Sequence, residues 1–221
     1  MSAATGVSAP PLPAGKRERT KAQNRSAILA AARAVFAALG YEAASVRDVV
    51  RGTGLASGTF YNYFPDKESV LRALVEEDAA LLRARLREVR AAATTLESFV
   101  GDAYRVYFAW IAEDPAAFEL VRRNAGSIRQ LIDEPALGGG VDDLRDDLRA
   151  ATAQGELPLL DADYMAAAMA GVAIEVAVRM VERDPPDVEG AARFATELFV
   201  GGIERLARAR VGPGGATRVA N

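Results

Sequence analysis

Between Ser57 and Phe64 the chain reads Ser-Gly-Thr-Phe-Tyr-Asn-Tyr-Phe, which sets four hydroxyls and one carboxamide within eight residues. Read as a helix, Phe60 and Phe64 lie four apart and share one face, leaving Ser57, Thr59, Tyr61, Asn62 and Tyr63 pointing outward. Hydroxyls and amides on an exposed helix donate hydrogen bonds to phosphate oxygens and base edges, and the flanking Arg47, Arg51 and Lys67 can neutralise phosphate charge. The major groove of DNA is about 12 Å wide and admits one helix whose entering side carries small and polar groups. The same pattern also fits an ordinary turn region with half-packed aromatics.

Most other chemistry is excluded. The 221 residues hold no His and no Cys, which rules out imidazole and thiolate metal sites, thiol nucleophiles and Ser-His or Cys-His pairs. No catalytic residue, metal or cofactor is expected. Asp142, Asp143, Asp146 and Asp147, interleaved with Arg145 and Arg149, read as a solvated helix face in preference to a cation site. The run from Gly138 to Gly140 follows no strand and reads as a flexible loop. Charge is unevenly placed: residues 1 to 90 carry 14 Lys and Arg against 9 Asp and Glu, net plus 5, whereas residues 91 to 221 carry 13 against 21, net minus 8. A basic first part points to a polyanionic partner that the acidic remainder does not share.

Half of the residues are hydrophobic and 26% are charged, the balance of a soluble globular protein with a core to fill. No apolar run reaches the ~18 residues needed to span a bilayer, and the first fifteen residues lack the pattern of a secretory signal. A cytoplasmic protein with no membrane partner is expected. The periodicity is helical almost throughout and predicts an all-α fold of about nine helices. Ile28, Ala31, Ala32, Val35, Phe36 and Leu39 form one stripe that ends at Gly40. A short helix follows from about Val46 to Arg51, capped by Ser45, with Val46, Val49 and Val50 inward; Gly52 and Gly54 break it. A second short helix starts near Ser57 and ends before Pro65, and Asp66 caps a long one to about Ala92 with Leu74, Leu81, Leu82 and Leu86 among its apolar positions. Further helices are expected at about 96 to 113, 116 to 124, 127 to 132, 141 to 154, 162 to 182 and 188 to 209. The chain then divides into a disordered basic-ended tail (1–20), a helix-turn-helix unit (21–66), a larger helical domain (67–210) and a disordered end (211–221).

Two short helices joined by a glycine-containing turn and packed on an amphipathic helix are the layout of a helix-turn-helix. The stretch ILAAARAVFAALGYEAASVRDVVRGTGLASGTFYNYFPDKESVLRAL, Ile28 to Leu74, resembles the amino-terminal domain of the TetR family of bacterial transcriptional regulators. The resemblance implies a sequence-specific repressor of double-stranded operator DNA. It implies that Ser45 and Arg47 contact phosphate or a base edge and that Ser57, Gly58 and Thr59 open the recognition helix. Tyr61 and Tyr63 would anchor phosphates, Asn62 would reach a base edge, and Lys67 would hold a further phosphate. Ala56 stands where the family usually has a capping Ser or Thr. It is the one support for a different reading, a ligand-binding or scaffold protein with a degenerate helix-turn-helix. The basic segment from Lys16 to Lys21, with Arg25, fits either a flexible arm on DNA or a solvated flank.

The resemblance further implies a homodimer formed by the last two long helices and a small effector held among the helices between. The run Ala166 to Ala173 is small on nearly every side, and Phe194, Leu198, Phe199, Gly201, Gly202 and Leu206 lie on the last helix. An intramolecular core fits these positions equally well. The helix at 96 to 113 is apolar on two faces, one of them Val100, Tyr104, Tyr107, Phe108 and Ile111. With Phe118, Met165 and Met169 these side chains either line an oily cavity or fill the core, and Arg122 and Asn124 are candidates for an anionic head group at its mouth. A small hydrophobic effector such as a fatty acyl thioester is the expected ligand.

Overall fold

Ile28, Ala32 and Phe36 recur every four residues, and each is at most 1% exposed. They form the inner face of the first helix, α1 (Lys16–Leu39). The structure is a computed structural model that describes residues 15–123 and 135–210. Residues 1–14 of the tail expected at 1–20, the tail expected at 211–221, the helix expected near 127 to 132, and Asn124 lie outside these residues. The described residues form nine helices and no strand. After α1 come α2 (Val46–Thr53), α3 (Ser57–Tyr61), α4 (Lys67–Ala92), α5 (Leu96–Glu113) and α6 (Pro115–Arg123). Then follow α7 (Pro135–Gln154), α8 (Ala162–Val181) and α9 (Val188–Arg210).

Residues 16 to 20, expected in a disordered tail, form the first turns of α1. The chain divides into two compact units between Leu71 and Arg72, within α4 and beyond the boundary expected at residue 66. In the first unit α1 packs on α2, and α2 on α3. Ser45 and Asp48 close a reciprocal capping box at the start of α2: the Ser45 hydroxyl accepts from the Asp48 N–H at 3.3 Å, and the Ser45 N–H donates to the Asp48 carboxylate at 3.0 Å. Gly52 stays inside α2. The break comes at Gly54, whose φ of 67° is left-handed and costs a glycine little. Leu39, expected on the inner stripe of α1, is the last residue of the helix and is exposed.

In the second unit α5 is central and packs on α9, α8 and α6. A Thr95–Ser98 capping box starts it. Val100, Tyr104, Phe108 and Ile111 then line up at intervals of three and four, all buried. Tyr104 stacks between Phe108 (ring centroids 5.8 Å apart) and Phe199 of α9 (6.1 Å). The other apolar face of α5 is only partly buried, so this helix is not enclosed all round.

The glycine run at 138–140, expected as a loop, falls inside α7. A Cβ at Gly139 would collide with the Arg83 guanidinium, which crosses here to reach Asp143. The four aspartates of α7 are largely arginine partners. Asp143 takes Arg83 and Arg87 from α4, Asp147 takes Arg90, Asp142 pairs with Arg145, and Asp146 with Arg149. Half of the expected solvated face is therefore a seam of ion pairs between α4 and α7. Leu81 of α4 is 61% exposed and lies outside the apolar stripe assigned to it. Finally, α8 is long and apolar enough by length and composition to cross a membrane, contrary to the expectation that no run is. Ala166, Met169, Ala173, Ala177 and Met180 bury one side of it against the core of this unit.

Candidate nucleic-acid interface and ligand cavity

The outward face of α3 follows from what its aromatic residues must do. Phe60 is 1% exposed and Phe64 5%, and their rings meet at 6.2 Å, which turns Ser57, Gly58, Tyr61 and Asn62 to solvent. Tyr61 is 57% exposed, although burying its ring would be favourable. Thr59 and Tyr63 are partly buried. Space around Gly58 is open, so the backbone there can approach a ligand closely. Ala56 occupies the cap of α3 with no side-chain hydrogen bond, and the turn closes through the backbone, with Thr59 N–H donating to Ala56 C=O at 2.8 Å. Arg47 is exposed on α2. The Ser45 hydroxyl is engaged in the capping box, and hydrogen bonds from Ser45 hold the Asp48 carboxyl below its ordinary range.

Two basic features differ from expectation. Arg17, Thr20 and Lys21 belong to α1 and border one open groove with Asn62 and Tyr63, with Glu18 beside them. The basic segment is thus held on a helix next to α3. Lys67, expected on a phosphate, has its ammonium over the Tyr41 ring at 4.5 Å. It donates to the carbonyls of Tyr41, Glu42 and Ala44 at 3.0, 3.1 and 3.3 Å. An ammonium has three donors, and all three are used in tying the start of α4 to the α1–α2 turn.

Within the second unit, helices α4, α5, α7 and α8 enclose a cavity of about 230 Å³. Its walls are apolar: Leu82 and Leu86 of α4, Phe99, Ala103, Tyr104 and Tyr107 of α5, Val141 and Leu144 of α7, and Met169 and Ile174 of α8. Arg90 is the one charged residue among those lining it. The Tyr104 hydroxyl donates to the Met169 carbonyl at 3.0 Å and so fixes α5 on α8 at the cavity wall. Tyr104, Tyr107 and Met169, expected as ligand residues, line this cavity. Phe108, Ile111 and Phe118 are core residues and do not reach the cavity. Met165 lines a separate surface groove with Tyr164, Leu198 and Leu206. Arg122 is exposed and closes a fork on Glu119 one turn earlier, both bonds 2.6 Å, so its charge is satisfied away from the cavity.

Residues 28–74 match the family described as bacterial regulatory proteins, tetR family. These residues are a TetR-type amino-terminal domain. Curated relatives match over a similarly short part of the chain. The transcriptional repressor AcnR of Corynebacterium efficiens is 42% identical over 65 residues, 29% of this chain and 35% of AcnR. The transcriptional regulator UidR of Escherichia coli K12 is 35% identical over 71 residues, 32% of this chain and 36% of UidR. The match thus spans about a third of the length of these relatives. Among solved structures, the fatty acid degradation regulator FadR of Bacillus halodurans superposes with a TM-score of 0.71 at 27% identity, over 81% of this chain and 96% of that one. FadR of Bacillus subtilis, solved with stearoyl-CoA, gives 0.71 at 26% identity over 80% and 98%.

The cavity residues that sequence reasoning missed are chiefly those of α4 and α7, Leu82, Leu86, Arg90, Val141 and Leu144. A signal was present: Arg83, Arg87 and Arg90 at i, i+4 and i+7 on one helix answer Asp143 and Asp147 at i and i+4 on another. The cavity tyrosines also carry a pH prediction. Burial pushes Tyr107 from its ordinary 10.0 up to about 12 and raises Tyr104 as well. Below pH 10 both the folded and the unfolded chain keep these phenol protons. Between pH 10 and 12 the unfolded chain loses them first, so stability falls, by about 2 kcal/mol from Tyr107 alone. Urea unfolding at pH 9 and pH 11.5 will show this loss, and Tyr107→Phe will be the less alkali-sensitive chain.

Proposed function

We propose that the chain is a homodimeric, non-enzymatic transcriptional repressor whose affinity for an operator is set by a small lipophilic effector. The observation that carries this reading is the face of α3: two buried phenylalanines turn Ser57, Gly58, Tyr61 and Asn62 outward on an open surface, within the segment that matches the TetR family. Ser45, Arg47, Thr59 and Tyr63 flank that face. Lys67 supports it from behind by fixing the α1–α2 turn. The partner is double-stranded DNA, which places the chain in the cytoplasm. The backbone closure of α3 under Ala56 supports a working helix-turn-helix over the degenerate scaffold reading.

Two further observations support the rest. The second unit holds an apolar cavity, and its solved relative from Bacillus subtilis was crystallised with stearoyl-CoA, so a fatty acyl thioester is a reasonable effector class for this chain. Phe194, Leu198 and Leu206 of α9 and Tyr164 of α8 are large apolar side chains left exposed, as a two-fold interface between the last two helices of each copy requires. The test is DNA binding across a salt series, with DNA taken from around the chain's own gene. A dimer touching on the order of six phosphates loses about 10³-fold in affinity between 50 and 200 mM salt. Absence of salt-dependent binding would overturn the repressor reading.

A further inference from the structure

Arg90 is out of keeping with the cavity it lines. Its side chain is 5% exposed, and every other lining residue is apolar, a tyrosine or a glycine. Its Nε donates to Asp147 Oδ2 at 2.7 Å. Its Nη2 is buried and has no hydrogen-bond partner. The neighbouring Arg83 shows what a completed pair looks like on the same two helices: Nε and Nη2 both reach Asp143, each at 2.6 Å. Arg90 uses only one prong of its fork. A buried guanidinium N–H seeks an oxygen, and leaving one unmade is unfavourable. The Tyr104 hydroxyl, also on the wall, is itself engaged with the Met169 carbonyl.

We propose that the effector is an apolar molecule bearing one carbonyl or carboxylate oxygen, and that Arg90 Nη2 donates to that oxygen inside the cavity. This rests on the cavity being the effector site. Asp147 already balances the Arg90 charge, so what the wall offers is a hydrogen-bond donor and not an uncompensated cation. That suits a single acyl oxygen. A phosphate brings more charge and more acceptors than one N–H can satisfy. The apolar remainder, with Leu86, Phe99 and Ile174 on different helices, takes the hydrocarbon part. At about 230 Å³ the space lies just below the roughly 300 Å³ at which pockets for drug-sized ligands begin, enough for a compact ligand or the acyl end of a longer one.

The experiment is calorimetric titration of the full chain with octanoate, methyl octanoate and octane. Wild type should bind at least one of the two oxygenated probes about tenfold or more above octane, the margin expected of a hydrogen bond to a charged group. Octanoate tighter than its ester marks a carboxylate ligand; the two alike mark a carbonyl. Arg90→Lys keeps a cation opposite Asp147 but removes Nη2, and Arg90→Met with Asp147→Asn removes the pair altogether. In both, the margin should vanish while octane binds as before. A margin that survives in either folded variant, octane equal to the oxygenated probes in wild type, or no binding of any probe overturns the proposal. Operator binding is measured separately: its absence alongside an Arg90-dependent margin sinks the repressor reading and leaves this one standing.

Discussion

Phe60→Ala is expected to cost the first unit about 3–5 kcal/mol and to abolish operator binding, whereas Tyr61→Phe, one residue on, leaves the fold intact and weakens operator binding about tenfold. The two side chains share a turn of α3 and differ in what they face. Phe60 is 1% exposed, and its ring packs against Phe64 at 6.2 Å. Removing it opens a cavity that a five-residue helix cannot collapse into without losing its position on α2. Domains are stable by only about 5–15 kcal/mol, and a unit of some seventy residues sits toward the low end, so the loss takes much of what there is. Tyr61 is 57% exposed and supports no packing that the loss of a hydroxyl would disturb. Denaturant unfolding followed by circular dichroism, beside DNA titration, checks both. Wild-type stability in Phe60→Ala, or undiminished binding in Tyr61→Phe, would refute the assignment of inner and outer faces.

That contrast also marks what the sequence makes legible. The Ser45–Asp48 box, the Phe60–Phe64 face and the stripe of α1 are relations between residues three or four apart, which helical geometry alone specifies. The errors are of another kind. Lys67 was expected on phosphate from the family resemblance, yet its three acceptors lie 23 to 26 residues back, in the turn after α1. Arg83 and Arg90 meet aspartates 57 to 60 residues away. Which aspartate each finds depends on α4 lying along α7, a pairing no local period encodes. The cavity is the sharpest case. Tyr104, Tyr107 and Met169 were legible because α5 and α8 are conspicuously apolar, but Leu82 and Val141 belong to helices whose periodicity announces only an ordinary amphipathic face. The exposed apolar residues of α8 and α9 were legible as apolar and not as exposed, because periodicity does not tell an exposed apolar face from a buried one.

Leu198→Glu tests the proposed two-fold interface and is expected to convert the proposed dimer to a monomer and lower operator affinity by about 10²-fold or more. Leu198 is 50% exposed on α9 and borders a surface groove with Leu159, Tyr164, Met165, Ala168 and Leu206. Within one chain the substitution leaves a carboxylate in water, where surface changes alter stability by about 0.5 kcal/mol or less. Across a two-fold interface it acts twice, since the same patch serves both copies, and each copy then buries a charge with no partner. Desolvating such a charge is worth several kcal/mol, enough to forbid the pairing. A lone monomer holds one half-site, and the second half-site's share of the affinity, typically a factor of 10² to 10⁴ for linked binding modules, is lost with the partner. Sedimentation and DNA titration read the two effects independently. The control is Leu81→Glu: Leu81 is 61% exposed on α4 and borders none of the groove, so the same charge there should leave both the dimer and the operator affinity in place. A Leu198→Glu chain that stays dimeric would show that the apolar face of α8 and α9 is surface and not interface, and the two-fold operator reading would have to rest on some other part of the second unit.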